Sequence, residues 1–353
     1  MSRLAAASIK RLLLGLLVAI CLLPPIWWRS PVPPPWSDGA MQITRLVGES
    51  DLPAAQGHMR LMGVWQLASD AREFGGYSSL LAMPDGQFQT YSDFGWRLRF
   101  SAPGAPQRPA RLDHVPTDRK LLKKWQSDIE SATRDPKTGD IWLGYEGMNM
   151  IRRHSAANGK WASVHPPEMA HWPHNSGAES LLRLADGRFI VMSEGGTGPK
   201  PAPSVGLLYD HDPVEGGTPL IFGLAHPKGY RSTDMAQLPD GRVLILLRDF
   251  DPPFPPIFRS RLLIADPATI KKGQYWHWQT LLDFASPIPS ENYEGLAVRD
   301  LGGGLVDLWM ISDDNQAVLQ QTLLLQIRWD MGQAKGKQTE AAATQALKMS
   351  SAH

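Results

Sequence analysis

The feature that most constrains this chain is an internal repeat. Five segments share one order: a hydroxyl or acidic residue, an apolar run, a tight turn and a second apolar run. They begin at Ser78, Glu130, Glu179, Thr233 and Glu294, so successive starts are 52, 49, 54 and 61 residues apart. The turns are Asp85-Gly86, Gly139-Asp140, Asp186-Gly187, Asp240-Gly241 and Gly302–Gly304. Asp-Gly between two strand-like runs signals a hairpin, because a tight turn needs positive φ. Two further short runs follow in each unit, such as Val205–Tyr209 and Leu220–Gly223. Four antiparallel strands per repeat of this length make a β-propeller blade, and the fold class is therefore all-β. One blade cannot bury both its faces, so several must stack around an axis. The alternative, a β-sandwich, requires the turn spacing to be coincidence.

Five full units are counted. The last lacks an outermost strand, which Met59–Leu67 would supply, closing the ring and removing an open sheet edge. The strand-like Gln42–Leu46 leaves room for a sixth, degenerate blade. The propeller domain is thus expected over residues 41–330.

The two ends read differently. Arg3, Lys10 and Arg11 precede Leu12–Leu23, twelve residues without charge, which stop at Pro24-Pro25. That is the layout of a secretory signal. A spanning helix wants about 20 apolar residues, and Ile26-Trp27-Trp28 would extend this one toward the membrane interface. Residues 1–29 are read as an export signal or a retained hydrophobic anchor helix, and either reading places the body in the periplasm or cell envelope. Residues 30–40, rich in proline, form a stiff spacer, and residues 331–353 a tail without apolar periodicity. The formal net charge of +1 gives no electrostatic reason to expect nucleic acid. The single cysteine excludes an internal disulfide and a Cys-rich zinc site.

The repeats also place polar side chains. Centring each hairpin on its Asp-Gly pairs Ser78 with Asp93, Glu179 with Glu194 and Thr233 with Arg248. In a propeller the first strand of each blade lines the channel. Glu130, Glu179 and Glu294, with Asp234, then start inner strands around one mouth, where Asp93, Glu146, Glu194, Arg248 and Asp313 end the adjacent strands. Carboxylates crowded on one axis stay ionised cheaply only with a cation or basic partners among them. An all-oxygen donor set favours Ca²⁺ or Mg²⁺, so Glu130, Glu179, Asp234, Glu294 and Asp313 are candidate calcium ligands. The alternative is that these acids bond to amides of the next blade and staple the blades together. His174 and Asn175 precede Glu179 in a mouth loop, and Lys200 follows a glycine run that could present amides to an anion. Lys200, Arg231 and Arg248 would add positive charge for an anionic substrate. No Gly-x-Ser-x-Gly elbow and no His-Glu-x-x-His motif occurs.

Phe74-Gly75-Gly76-Tyr77-Ser78-Ser79-Leu80, Tyr91-Ser92-Asp93-Phe94-Gly95, Asp128-Ile129-Glu130, Ala178-Glu179-Ser180-Leu181, Thr233–Gly241, Asn292-Tyr293-Glu294-Gly295-Leu296 and Ile311–Asn315 occur in that order. Together they resemble the family described as "esterase-like activity of phytase", exported bacterial propeller-like domains. The resemblance covers roughly Leu46–Trp329 and implies phosphoester or carboxylester hydrolysis. It carries over no catalytic residues. The chain departs from it at Leu247-Arg248-Asp249-Phe250, where relatives tend to show Glu-Arg before Phe, and at Gly76-Tyr77-Ser78-Ser79.

The expectation is an exported or membrane-tethered hydrolase of a small anionic or ester substrate. A divalent cation would polarise the phosphoryl or ester oxygen. Glu179 and His174 would act as acid or base, Arg248 would oppose developing negative charge, and Lys200, Arg231 and Asn175 would bind substrate. A non-catalytic envelope module binding a ligand or a protein, and a calcium-dependent lactonase, remain the alternatives.

Overall fold

A computed structural model describes residues 10–18, 33–117, 123–173, 176–195, 203–251 and 257–332. Strands β1 (Gln42–Val47), β2 (Ser50–Leu52) and β3 (His58–Ala68) precede the repeats. The first blade holds β4 (Leu81–Ala82), β5 (Gln87–Tyr91), β6 (Trp96–Ser101) and β7 (Arg111–His114). The second holds β8 (Ile129–Arg134), β9 (Ile141–Tyr145), β10 (Met150–His154) and β11 (Trp161–Val164). In the third are β12 (Ala178–Arg183), β13 (Phe189–Ser193), β14 (Ser204–Tyr209) and β15 (Leu220–Leu224). The fourth contains β16 (Tyr230–Gln237), β17 (Val243–Asp251), β18 (Ile257–Ala265) and β19 (Trp278–Asp283). The fifth contains β20 (Tyr293–Gly302), β21 (Leu305–Ser312) and β22 (Leu323–Asp330). The protein is an all-β, five-bladed propeller with four-stranded blades. All blade pairings are antiparallel, and β3 hydrogen-bonds to β22 as the fourth strand of the fifth blade. β1 lies outside β3 in that same sheet, and among the described residues no sixth sheet occurs.

Each blade interface has its own apolar core, which is how faces that no single blade could bury are covered. Phe88, Phe100 and Trp309 pack between the fifth and first blades, and Leu143 and Tyr91 between the first and second. Trp142 and Phe189 join the second to the third, Met192 and Ile245 the third to the fourth, and Leu246 and Leu308 the fourth to the fifth. Full burial of one such side chain, Phe88, contributes roughly 2–3 kcal/mol.

The turns correct the expected hairpin register. Leu184 N donates to Arg188 O at 2.8 Å and Gly187 N to Leu184 O at 2.9 Å, so the loop holds three residues, Ala185 to Gly187. The fourth blade repeats this with Leu238, Gly241 and Arg242. A two-residue turn with positive φ at both centres does not form, because only Gly187 takes positive φ, 96°. A second shift follows at the other end of the inner strands. The pairing slips between Ile129 and Ser131, Ala178 and Ser180, Ser232 and Asp234, and Tyr293 and Gly295. Each slip is a β-bulge, and the extra residue is Glu130, Glu179, Thr233 or Glu294. Consequently Arg248 pairs with Arg231 rather than Thr233, and Asp93 N bonds to Gly76 O rather than facing Ser78.

A bulge turns a side chain away from the alternation of the strand, and Asp234, one residue past its bulge, shows the consequence. Its Oδ1 accepts Met235 N at 2.8 Å and its Oδ2 accepts Leu296 N of β20 at 2.7 Å. Burial pushes its pKa well up, and the two amides pull it back. Asp234 therefore bonds the fourth blade to the fifth. Small hydroxyls do the same elsewhere: Ser131 Oγ donates to Ala178 O at 2.6 Å, and Ser180 and Ser232 join their hydroxyls at 3.0 Å. Asp234→Ala leaves two inner-strand amides unpaired in the core and is expected to cost about 3 kcal/mol, measured by urea unfolding. An unchanged midpoint would deny the stapling role.

Candidate functional site

Five inner strands begin at one mouth of the channel, and the bulges there turn Glu130, Glu179 and Glu294 into a shared group. Beside the bulges the second strands bring Glu146, Glu194, Arg248 and Asp313 to the same mouth, and the first blade adds Asp93 just after β5. The group is strongly acidic. With Asp128 it contains eight carboxyls, namely Asp93, Asp128, Glu130, Glu146, Glu179, Glu194, Glu294 and Asp313. The cations among them are Arg231, Arg248 and Lys124.

The charges are not spread evenly. On one side Glu194 lies between two guanidiniums, with Arg231 Nη1 at 3.0 Å from Oε2 and Arg248 Nη2 at 3.1 Å from Oε1. Arg248 also reaches Glu294 Oε1 at 3.5 Å, where Asn292 Nδ2 donates at 2.9 Å. Burial opposes a charge on Arg248, yet Glu294, Glu194, Glu179 and Asp313 outweigh it and hold its pKa up. On the opposite side the only described cation is Lys124, whose Nζ sits 2.8 Å from Asp93 Oδ2. There Asp128, Glu130 and Glu146 each bring one carboxylate oxygen within 4.8 Å of the others. Burial pushes the Glu130 carboxyl well above its ordinary range, and Glu146, Asp128 and Glu294 push it further. Burial likewise lifts Glu146 to about 7. Glu179, hydrogen-bonded to Glu146, is raised well above its usual value by burial and then by Glu194 and Glu130.

The donor set at Asp128, Glu130 and Glu146 consists of oxygens alone, which suits a hard divalent cation. On this side a buried oxygen, Asp93 Oδ1, also lacks a hydrogen-bond partner. Unsatisfied buried acceptors beside clustered carboxylates are what a cation would satisfy, so the residues fit one.

The expected site residues fall into three groups. Glu130, Glu179, Glu294, Asp313, Arg248 and Arg231 come together at the mouth. Asp313 accepts Asn315 N at 2.7 Å, and burial followed by Glu294 raises its pKa well above normal. Asp234 stands apart, as the staple between β16 and β20. His174, Asn175 and Lys200 lie outside the described residues. Sequence reasoning missed Asp128 and Lys124 as members of the cluster. Both come from the connection between the first two blades, which carries no part of the repeat pattern; the signal was the acid two residues before the bulge at Glu130.

A serine–histidine pair also emerged. Ser204 Oγ lies 2.6 Å from His226 Nε2 and 3.0 Å from Glu194 O. The hydroxyl proton goes to the carbonyl, so the imidazole donates from Nε2. Burial and Arg231 lower the His226 pKa to about 4, keeping the ring neutral. A serine that is fully buried and whose proton is already committed is not poised as a nucleophile. The pair instead holds the backbone of Glu194 between its arginines.

The chain is similar to known proteins in sequence and in structure. A family model described as "Phytase-like: Esterase-like activity of phytase" matches residues 72–316. No individually curated protein matches the chain. Among solved structures, a luciferin-regenerating enzyme is similar at 12% identity and a TM-score of 0.43, over 81% of this chain and 95% of that one. A hypothetical protein from Leishmania major is similar at 12% identity and a TM-score of 0.41, over 73% and 86%. A nidogen/laminin complex gives 11% identity and 0.41, over 79% and 98%.

The crowded carboxyls predict a pH dependence of stability. A carboxyl whose folded pKa is raised binds its proton more tightly in the native state, so its contribution is present below the unfolded pKa and lost as pH rises through the folded one. For Glu146 that window runs from 4.5 to about 7, and Glu130 and Glu179 extend it upward. In EDTA the melting temperature should fall by roughly 5 °C between pH 5 and pH 8, and Ca²⁺ should abolish most of that fall. Scanning calorimetry giving superimposable curves with and without Ca²⁺ at pH 8 would remove the cation from the site.

Proposed function

The chain belongs to the phytase-like family described by the esterase-like activity of phytase, and we propose that it hydrolyses a small phosphoester or carboxylester at the acidic mouth of its propeller. The observation that carries this reading is the division of the mouth into a carboxylate side and a guanidinium side. Asp128, Glu130 and Glu146 would hold a divalent cation, with Ca²⁺ favoured by the oxygen donors. Bound there, it would supply Lewis-acid polarisation of a phosphoryl or acyl oxygen.

The protein's own groups account for the rest. Arg231 is partly exposed and Arg248 is more deeply set. Both would orient the anionic end of a substrate. Their shared partner Glu194 fixes their positions, so little order is lost on binding. Glu179 sits between the two sides. Burial, with Glu194 and Glu130 beside it, raises its pKa, the direction required of a general acid that later acts as base. Asp234 is left out of this set because both its oxygens are engaged by amides. Lys200, His174 and Asn175 keep the roles expected from the sequence: added positive charge, proton transfer and substrate binding. Export and tethering through the N-terminal apolar segment place this chemistry in the cell envelope.

The alternative with support of its own is a non-catalytic binding module, favoured by the ion pairs that already neutralise Arg248. Purified protein assayed on phosphoester, carboxylester and lactone panels separates the readings. Hydrolysis of a phosphoester or carboxylester should vanish in EDTA and return with Ca²⁺. Glu179→Gln should lower kcat about 100-fold with circular dichroism unchanged. Hydrolysis of lactones alone would move the assignment to a lactonase, and inactivity on all three panels with Ca²⁺ would leave the binding module.

A further inference from the structure

The two faces of the propeller differ in what they expose. Inner strands start at the acidic mouth, so connections from second to third strand and from blade to blade lie on that face. Large apolar side chains stand in the open there. Trp125 is in the connection between the first two blades, Phe250 and Ile257 are at the tips of β17 and β18, and Val318 and Leu319 follow β21. They are between 47% and 100% exposed. Away from that face, Leu301 at the β20–β21 turn and Tyr275 in the β18–β19 connection are similarly open among the described residues.

The chain's N-terminal side is fastened to the same face. Arg72 N donates to Pro34 O at 3.1 Å, and Trp36 N donates to Glu73 Oε2 at 2.9 Å. The Trp36 ring stacks on Phe74, 6.5 Å between centroids and 5° between planes. The next residues reach the mouth: Gly76 N donates to Asp314 Oδ1 at 3.0 Å, and Asp314 opens the loop that carries Val318 and Leu319. Pro34 follows Trp28, the last apolar residue of the N-terminal segment, by six positions. Fully extended they span about 20 Å.

We propose that the mouth face lies against the lipid bilayer, with Trp125, Phe250, Ile257, Val318 and Leu319 entering its interfacial layer. The inference rests on the reading of Leu12–Trp28 as a retained anchor and is independent of the hydrolase reading. A tether this short, fixed beside the mouth, allows that face and not the opposite one to reach the headgroups. A rim of aromatic and aliphatic residues is suited to a depth of about 5–10 Å at the headgroup boundary, and tryptophan favours that layer. Substrate would then reach the acidic mouth from the gap along the membrane surface.

The test uses the full chain in phosphatidylcholine nanodiscs whose acyl chains are brominated or plain, since bromine quenches tryptophan emission on contact. Brominated lipid should quench the native chain more than Trp125→Phe, by about one tryptophan's share of the emission. Val318→Glu combined with Leu319→Glu should restore the Trp125 emission while leaving the circular dichroism and melting temperature unchanged. Equal quenching of the native chain and Trp125→Phe in chains that remain in the nanodisc overturns the docking alone and leaves this face to a protein partner. A chain that does not stay with the nanodisc overturns anchor and docking together, while the ester assay still decides the hydrolase reading.

Discussion

The structure depends on the confinement of like charges around a narrow axis. Five inner strands bring their first residues to one opening, and three of those residues are glutamates. In water their repulsion would be small; with the side chains buried, neither solvent nor distance screens it. The molecule answers in two ways. On one side arginines from the fourth blade neutralise Glu194 and Glu294 directly. On the other, Lys124 meets Asp93, and burial raises the pKa values of Asp128, Glu130 and Glu146. That asymmetry, imposed on a nearly five-fold scaffold, is what gives the mouth a direction in which a polar ligand can lie.

The bulge makes this confinement possible. A regular strand alternates its side chains, so an inner strand would present one residue in two to the channel and the rest to the adjoining blade. The extra residue at Glu130, Glu179 and Glu294 interrupts that alternation at the mouth. It sends a carboxylate to the axis while the following residues return to blade contacts. Below the bulge the inner strands pack closely: a Cβ on Gly295 would come within 2.6 Å of the Ser79 carbonyl carbon and 2.8 Å of Leu80 N. Small residues and hydroxyls fill these positions, and their hydrogen bonds tie each blade to the next. Stapling and site-building thus fall to neighbouring residues of one strand, Asp234 to the first and its counterparts at the bulge to the second.

Much of this was legible in the sequence. The repeat starts at Ser78, Glu130, Glu179, Thr233 and Glu294 mark the inner-strand positions of five blades, because hydrophobic spacing and turn residues report strand order directly. The partners across each hairpin were misread by the turn rule. An Asp-Gly pair does not say whether one or both residues take positive φ, and that decision shifts the register by a residue. The membership of Asp128 and Lys124 was hidden as well, since the connection that supplies them varies in length from blade to blade and carries no period.

The structure decided that no sixth blade follows from β1 among the described residues, while the sequence alone determined five tandem repeats, the antiparallel pairing within them and the acidic character of one mouth. These follow from local patterns, and each repeat states them again. Tertiary structure decided which acids face one another, which are engaged by amides of the next blade, and which arginines lie between them. Those choices depend on the close approach of residues far apart in the chain, such as Asp93 and Asp313, which are 220 positions apart. A one-dimensional pattern holds no such proximity, because it is set by how five twisted sheets close on one another.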